Sequence, residues 1–227
     1  MAINLQKGQT IDLRKNDSGG AGAEYDLSQV TIGLGWDVRK KSGGLLGGLF
    51  GKKEPEFDLD AVAFLLDGNE KVANLGRTVQ MQNGQQVGLY EGDIIFFNSP
   101  KHPSGQIWST GDNRTGAGDG DDEQIVARLN TLDPQYQKIL FMVAIYQGRQ
   151  KNQHFGMIDN AYIRAVDAKG KEIARFNLSG DASYNGMCSM IFAEIYRKDN
   201  TWKFRALGDP RPADSFVDVL KQYVYTS

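Results

Sequence analysis

Phe57 to Leu66 reads FDLDAVAFLL. In an extended chain alternate side chains share a face, so Asp58 and Asp60 project together with Val62, Phe64 and Leu66. Phe57, Leu59 and Ala61 project the other way. One face of this predicted strand therefore turns from acidic to apolar along its length. Two aspartates leading into a core strand need solvent or a cation. Paired carboxylates can also form an acid–base dyad, but no nucleophile or pocket motif accompanies them, and a pair of cation ligands is the better reading.

The stretches around it read the same way. Lys138 to Tyr146 (KILFMVAIY) is nearly all apolar, as a strand covered on both faces would be. Val30 to Val38 (VTIGLGWDV) is a strand carrying two glycines, which predicts a bulge or a close backbone approach, and Asp37 stands near its end. Asp93 to Phe97, Gln124 to Leu129, Ala161 to Val166, Glu172 to Leu178, Met187 to Tyr196 and Thr201 to Leu207 are further strands, separated by turn signals such as Asp167-Ala168-Lys169-Gly170. Ile3, Leu5, Ile11 and Leu13 alternate around Lys7-Gly8-Gln9, as in a short hairpin or a turn between two strands. One helix is expected, at the C-terminus. Asp214 and Ser215 can cap it, and Phe216, Val217, Leu220, Tyr223 and Val224 recur at helical spacing. Many short strands with regular turns predict an all-β fold, an antiparallel two-sheet β-sandwich with a short C-terminal helix, in one domain over 1–227.

Composition narrows the function classes. A net charge of −2 over 227 residues gives no global field to recruit nucleic acid or acidic membranes. Cys188 is the one cysteine, so no internal disulfide can form, and its apolar surroundings make it a buried small hydrophobe. The N-terminus lacks the apolar core of a signal peptide and no run approaches a membrane span, so a cytoplasmic address is expected.

The chemistry concentrates in Gly111 to Glu123, GDNRTGAGDGDDE. Asp112, Asp119, Asp121, Asp122 and Glu123 crowd five carboxylates against one cation, Arg114, on a glycine-rich backbone. Such crowding is unfavourable unless something positive sits among them, and Ca²⁺, which takes about 6–8 oxygen ligands, is the natural candidate. Asp112 and Glu123 have the outer spacing of an EF-hand loop, but Arg114, Gly116 and Ala117 occupy interior positions that need oxygen ligands or the turn glycine. No Gly-Lys-Ser/Thr follows the glycines, so this is not a phosphate loop. His102 and His154 lack cysteine companions, and a zinc site of common spacing is unsupported. Mg²⁺ prefers few protein ligands, which leaves Ca²⁺ favoured.

Lys40 to Glu56 (KKSGGLLGGLFGKKEPE) is a glycine-rich insertion. Leu45, Leu46, Leu49 and Phe50 within it are either the tip of a mobile loop or a contact for a partner or membrane surface.

Taken together, Gly33-Leu34-Gly35-Trp36-Asp37, Phe57 to Ala61, Gly111 to Glu123, Asn152 to Gly156, Glu172 to Phe176 and Trp202 to Ala206 resemble the TerD family of bacterial tellurite-resistance and general stress proteins. The resemblance covers almost the whole chain, and departs from shorter members by longer loops at 40–56 and around 76–92, the latter rich in Gln and Gly. It implies a calcium-binding β-sandwich in which Asp112, Asn113, Asp119, Asp121, Asp122 and Glu123 hold the metal. Asp58 and Asp60 would be the second source of ligands and Asp37 a further one, with two ions explaining the convergence of carboxylates. The acidic loop, the Asp58/Asp60 pair and the lack of a nucleophile with its base point to a non-enzymatic stress-response module that shows a metal-dependent surface to other stress and tellurite-resistance proteins. Two alternatives stand beside it: a calcium-dependent membrane-surface adaptor inserting Leu45, Leu46, Leu49 and Phe50, and a metal-dependent hydrolase, for which only His102 and His154 could serve as histidine bases.

Overall fold

The structure is a computed structural model that describes residues 3–13, 25–38, 57–110, 120–177, 182–199 and 201–226. The strands are β1 (Ile3–Asn4), β2 (Thr10–Asp12), β3 (Val30–Val38), β4 (Leu59–Leu66), β5 (Arg77–Gln80), β6 (Gln86–Tyr90) and β7 (Ile94–Ile95). They continue with β8 (Ile107–Ser109), β9 (Glu123–Ala127), β10 (Lys138–Ile145), β11 (Ile158–Asp167), β12 (Glu172–Asn177), β13 (Ser189–Lys198) and β14 (Thr201–Arg211); a helix, α1 (Phe216–Leu220), follows. One six-stranded sheet runs β1-β12-β11-β3-β9-β8, a second runs β2-β14-β13-β10-β4-β7, and β5 pairs only with β6.

The alternation read from β4 sorts its side chains as expected. Leu59, Ala61, Ala63 and Leu65 join the core between the sheets, together with Ile32 and Leu34 of β3, Ile125 of β9 and Ile163 of β11. Val62, Phe64 and Leu66 face outward into a second apolar cluster with Leu140 and Met142 of β10. That cluster is roofed by Val87 of β6, Ile94 and Phe96, and by Val219 and Leu220 of α1. The uninterrupted apolar run of β10 follows from this: every residue from Ile139 to Ile145 is buried because both of its faces are covered.

One open alternative is decided and two expectations need correcting. The chain from Ile3 to Leu13 is a turn between two strands but not a hairpin. β1 pairs in parallel with β12 (Ile3 opposite Ala174), whereas β2 pairs with β14 in the other sheet (Ile11 opposite Phe204). Strands of two and three residues carry the period of a strand but nothing that names the partner sheet. The helix is also shorter than its apolar spacing predicts and ends at Leu220; Ser215 caps it, accepting from the Val217 N–H at 3.3 Å. Third, the Gln- and Gly-rich segment around 76–92 holds the β5–β6 hairpin rather than only a long loop.

Candidate metal centre

β8 and β9 are antiparallel neighbours, with Ser109 opposite Ile125, and the acidic segment connects them. Its two ends are pinned at one end of the sandwich: the Thr110 N–H donates to the Gln124 carbonyl at 3.0 Å, and the Asp122 N–H to the Leu34 carbonyl at 2.8 Å. β3 passes beside β9 with Leu34 opposite Glu123, so its last residues, including Asp37, reach this same end. The other sheet contributes the start of β4. The Ala61 N–H donates to Oε2 of buried Glu123, which ties β9 to β4 across the two sheets. Asp60 pairs with Ala144, and the Asp58 carbonyl accepts from the Tyr146 N–H at 2.8 Å, which places both aspartates where β4 begins.

Thus the backbone brings Asp37, Asp58, Asp60, Asp121, Asp122 and Glu123 to one end of the molecule. Asp58 and Asp60 are half-buried and share the outward parity of Val62. Asp122 Oδ2 accepts from the Trp36 N–H at 2.9 Å. Asp112, Asn113 and Asp119, the other expected ligands, lie outside the described residues, as do Leu45, Leu46, Leu49 and Phe50 and the side chain of Asp37. Among the described residues, no three His, Cys, Asp or Glu side chains are gathered as a metal cage. Among the described residues, Asp58, Asp60, Asp122 and Glu123 at the starts of β4 and β9 offer carboxylate oxygens, a chemistry that suits a hard cation such as Ca²⁺ rather than a thiophilic one. A carboxylate oxygen that accepts one N–H keeps a second lone pair, so the anchoring of Asp122 and Glu123 is compatible with ligation.

Asp121 stands apart. Its side chain is only 2 % exposed, and Arg164 of β11 grips both oxygens, Nε to Oδ1 at 2.7 Å and Nη2 to Oδ2 at 3.1 Å. Gln124 Nε2 donates to Oδ2 at 3.2 Å, and the Tyr162 hydroxyl lies 2.8 Å from the Gly120 carbonyl and 3.2 Å from Oδ1. The two glycines of β3 make room for these groups. A Cβ on Gly33 would sit 2.1 Å from Asp121 Oδ2, and one on Gly35 would sit 2.5 Å from the Tyr162 ring. Close approach, and not a positive φ, is what β3 needs its glycines for. Behind Arg164, Glu172 accepts from Arg164 Nη1 at 3.2 Å and from Arg175 Nη2 at 3.0 Å, and the Arg175 guanidinium lies 4.0 Å from the centre of the Tyr162 ring. The Arg175 hydrogen bonds, aided by Arg164 and opposed by desolvation, hold the Glu172 carboxyl below its ordinary range. Burial raises the Tyr162 phenol, and the charge of Asp121 adds to the effect.

The sequence reading missed Arg164, Tyr162, Glu172 and Arg175. The alternation of Ala161-Tyr162-Ile163-Arg164-Ala165 carried the one usable signal, placing Tyr162 and Arg164 on the outward face of β11.

His102 belongs to a separate polar knot. Its Nδ1 accepts from the Ser104 N–H at 3.1 Å, which assigns the proton to Nε2, and Nε2 donates to Asp93 Oδ1 at 3.1 Å. The Tyr136 hydroxyl donates to the same oxygen at 2.8 Å and the Asn74 N–H to Oδ2 at 2.9 Å. Asp93, His102 and Tyr136 are all buried, so the knot ties loops together.

Residues 1–223 match the TerD domain. The chain belongs to the TerD family. It is 55 % identical over 224 residues to tellurium resistance protein TerX of Serratia marcescens, covering 99 % of this chain and 100 % of that protein. Tellurium resistance protein TerD of Serratia marcescens is 36 % identical over 224 residues (98 % and 97 % covered). General stress protein 16U of Bacillus subtilis is 35 % identical over 209 residues (92 % and 90 %). The crystal structure of a homologue of telluride resistance protein from Streptomyces coelicolor superposes with a TM-score of 0.54 at 22 % identity, covering 83 % of this chain and 92 % of that one. A crystal structure of a protein of unknown function gives a TM-score of 0.61 at 20 % identity, covering 88 % and 98 %. These two likenesses speak for the fold. No helix among the described residues is long and apolar enough to cross a membrane.

Proposed function

We propose that this TerD-family chain is a calcium-binding, non-enzymatic module of the cytoplasmic stress response, and that its metal-dependent end is a surface for other stress- and tellurium-resistance proteins. The observation that carries the reading is the convergence of β3, β4, β8 and β9 on one end of the sandwich, with oxygen donors from both sheets flanking the acidic segment. Asp122, Glu123, Asp58 and Asp60 would hold the metal there, with Asp37 and the 111–119 segment completing the set and room in the donor count for two ions. Bound calcium would offset the mutual repulsion of these carboxylates and cross-link β4 to β9. The relatives' names associate the family with tellurium resistance and general stress, and this is the ground for the biological setting.

Calorimetric titration of the chelator-stripped chain with Ca²⁺, with Mg²⁺ in parallel, tests the reading. Binding in the micromolar range or tighter is expected, preferring Ca²⁺ and weakened by Asp122→Asn or by Asp58→Asn with Asp60→Asn. Absence of heat with both ions would sink it.

A further inference from the structure

The acidic segment rejoins the sandwich at Gly120 and Asp121, and what holds it there is a built seat. Gly120 has φ +111°, a backbone that side-chain-bearing residues rarely adopt, and its carbonyl takes the Tyr162 hydroxyl. The next residue, Asp121, lies in the notch over Gly33 with Arg164 across both oxygens. Arg164 is itself held by Glu172, which accepts from Nη1 and leaves Nε and Nη2 turned to Asp121. To ligate a divalent cation, Asp121 would have to leave a two-pronged ion pair, or the cation would have to sit against a guanidinium that repels it.

Resting on the calcium reading above, we infer that Asp121 is a positioning residue and not a metal ligand. With Arg164 and Tyr162 it anchors the exit of the acidic segment, and this anchor sets the calcium affinity of the site formed by its neighbours. The sequence grouped Asp121 with Asp122 as ligands; the structure divides them.

Charge makes the inference sharp. If these residues acted on calcium only through their charge, Asp121→Asn would weaken binding and Arg164→Gln would strengthen it, because one removes an anion and the other a cation. If Asp121 were a ligand, its loss would also remove a bound ion. An anchor predicts something else: both substitutions weaken binding in the same direction, by about 10–100-fold as loss of outer-shell support does. The number of ions stays unchanged, and the double variant is no weaker than the worse single one. Gly33→Ala should do the same while leaving every charge in place, since its methyl would occupy the Asp121 seat.

The experiment is calcium titration of the full chain and of these four variants, with Asp122→Asn as the ligand control and circular dichroism to confirm folding. Arg164→Lys keeps the charge but not the two-pronged geometry; it covers the case in which Gln at 164 fails to fold, and an affinity between wild type and Asp121→Asn is expected. Opposite effects of Asp121→Asn and Arg164→Gln, an ion lost in Asp121→Asn, or unchanged affinity in both would overturn the anchor while leaving the calcium reading intact. A wild-type chain that binds no calcium overturns both.

Discussion

Asp121 and Asp122 are adjacent on the chain, yet one oxygen set is gripped by a guanidinium while the other accepts a backbone N–H beside the acidic segment. The acidic crowd was legible in the sequence because composition alone displays it. Its counter-charge was not, because Arg164 is 43 residues from Asp121 and meets it only through the register that sets Arg164 opposite Gly33. Alternation gives the face of a side chain, but pairing across strands gives its neighbour. The Arg164–Glu172–Arg175 cluster has a pH signature with a definite sign. The Glu172 carboxyl is held below its ordinary value of 4.5 by Arg175 and Arg164. Its contribution to stability is therefore complete above that value and lost as pH falls through the lower folded one. Denaturant titrations at stepped pH should show this loss in the native chain and a smaller one in Arg175→Gln; equal acid sensitivity in both would remove Glu172 from the account. Asp93 offers a second check at this scale. Asp93→Ala leaves the Tyr136 hydroxyl, His102 Nε2 and the Asn74 N–H without their acceptor, and at ~1–3 kcal/mol for a buried orphaned group urea unfolding should register a loss of about 3 kcal/mol or more.

Among the elements, β4 and β10 show how much periodicity can carry. The FDLDAVAFLL pattern gave both faces of β4, and the unbroken apolar run of β10 gave its double coverage, though not the identity of the cover. The roof is α1 and the β5–β6 hairpin, and the latter is mostly exposed and polar: Val87 is buried and Val79, Met81 and Leu89 pack in part on the cluster, but no β5 residue is fully buried, so its apolar pattern is short and weak. Phe64 is the pin of this layer, fully buried, with ring centroids 6.5 Å from Phe216 and 5.9 Å from Tyr223. Phe64→Ala is expected to lower stability by about 3–5 kcal/mol, as deletion of a buried aromatic does, read from the denaturation midpoint. A loss under about 1 kcal/mol, the scale of a tolerated volume-conserving swap, would mean that α1 does not roof the sheet in solution.

At the scale of the molecule, two sheets share one core, and at the end where β3, β4, β8 and β9 meet the Glu123 carboxylate of one sheet accepts from the Ala61 N–H of the other. A metal held there would act on the whole fold, because its ligands meet only when the two sheets are assembled. With free calcium a hundredfold above its dissociation constant, the folded chain gains about 2.7 kcal/mol, so chelator should lower the melting temperature by roughly 5–10 °C at ~2–4 °C per kcal/mol for a chain of this length. An unchanged melt would argue that no structural metal is present. The most direct test is an anomalous difference map from crystals of the full chain grown with calcium. Density is expected between the start of β4 and the start of β9, with Asp122 and Glu123 oxygens at about 2.3–2.6 Å from the ion and Asp121 still paired with Arg164. An empty map at that end, or Asp121 swung from Arg164 onto the ion, would contradict it.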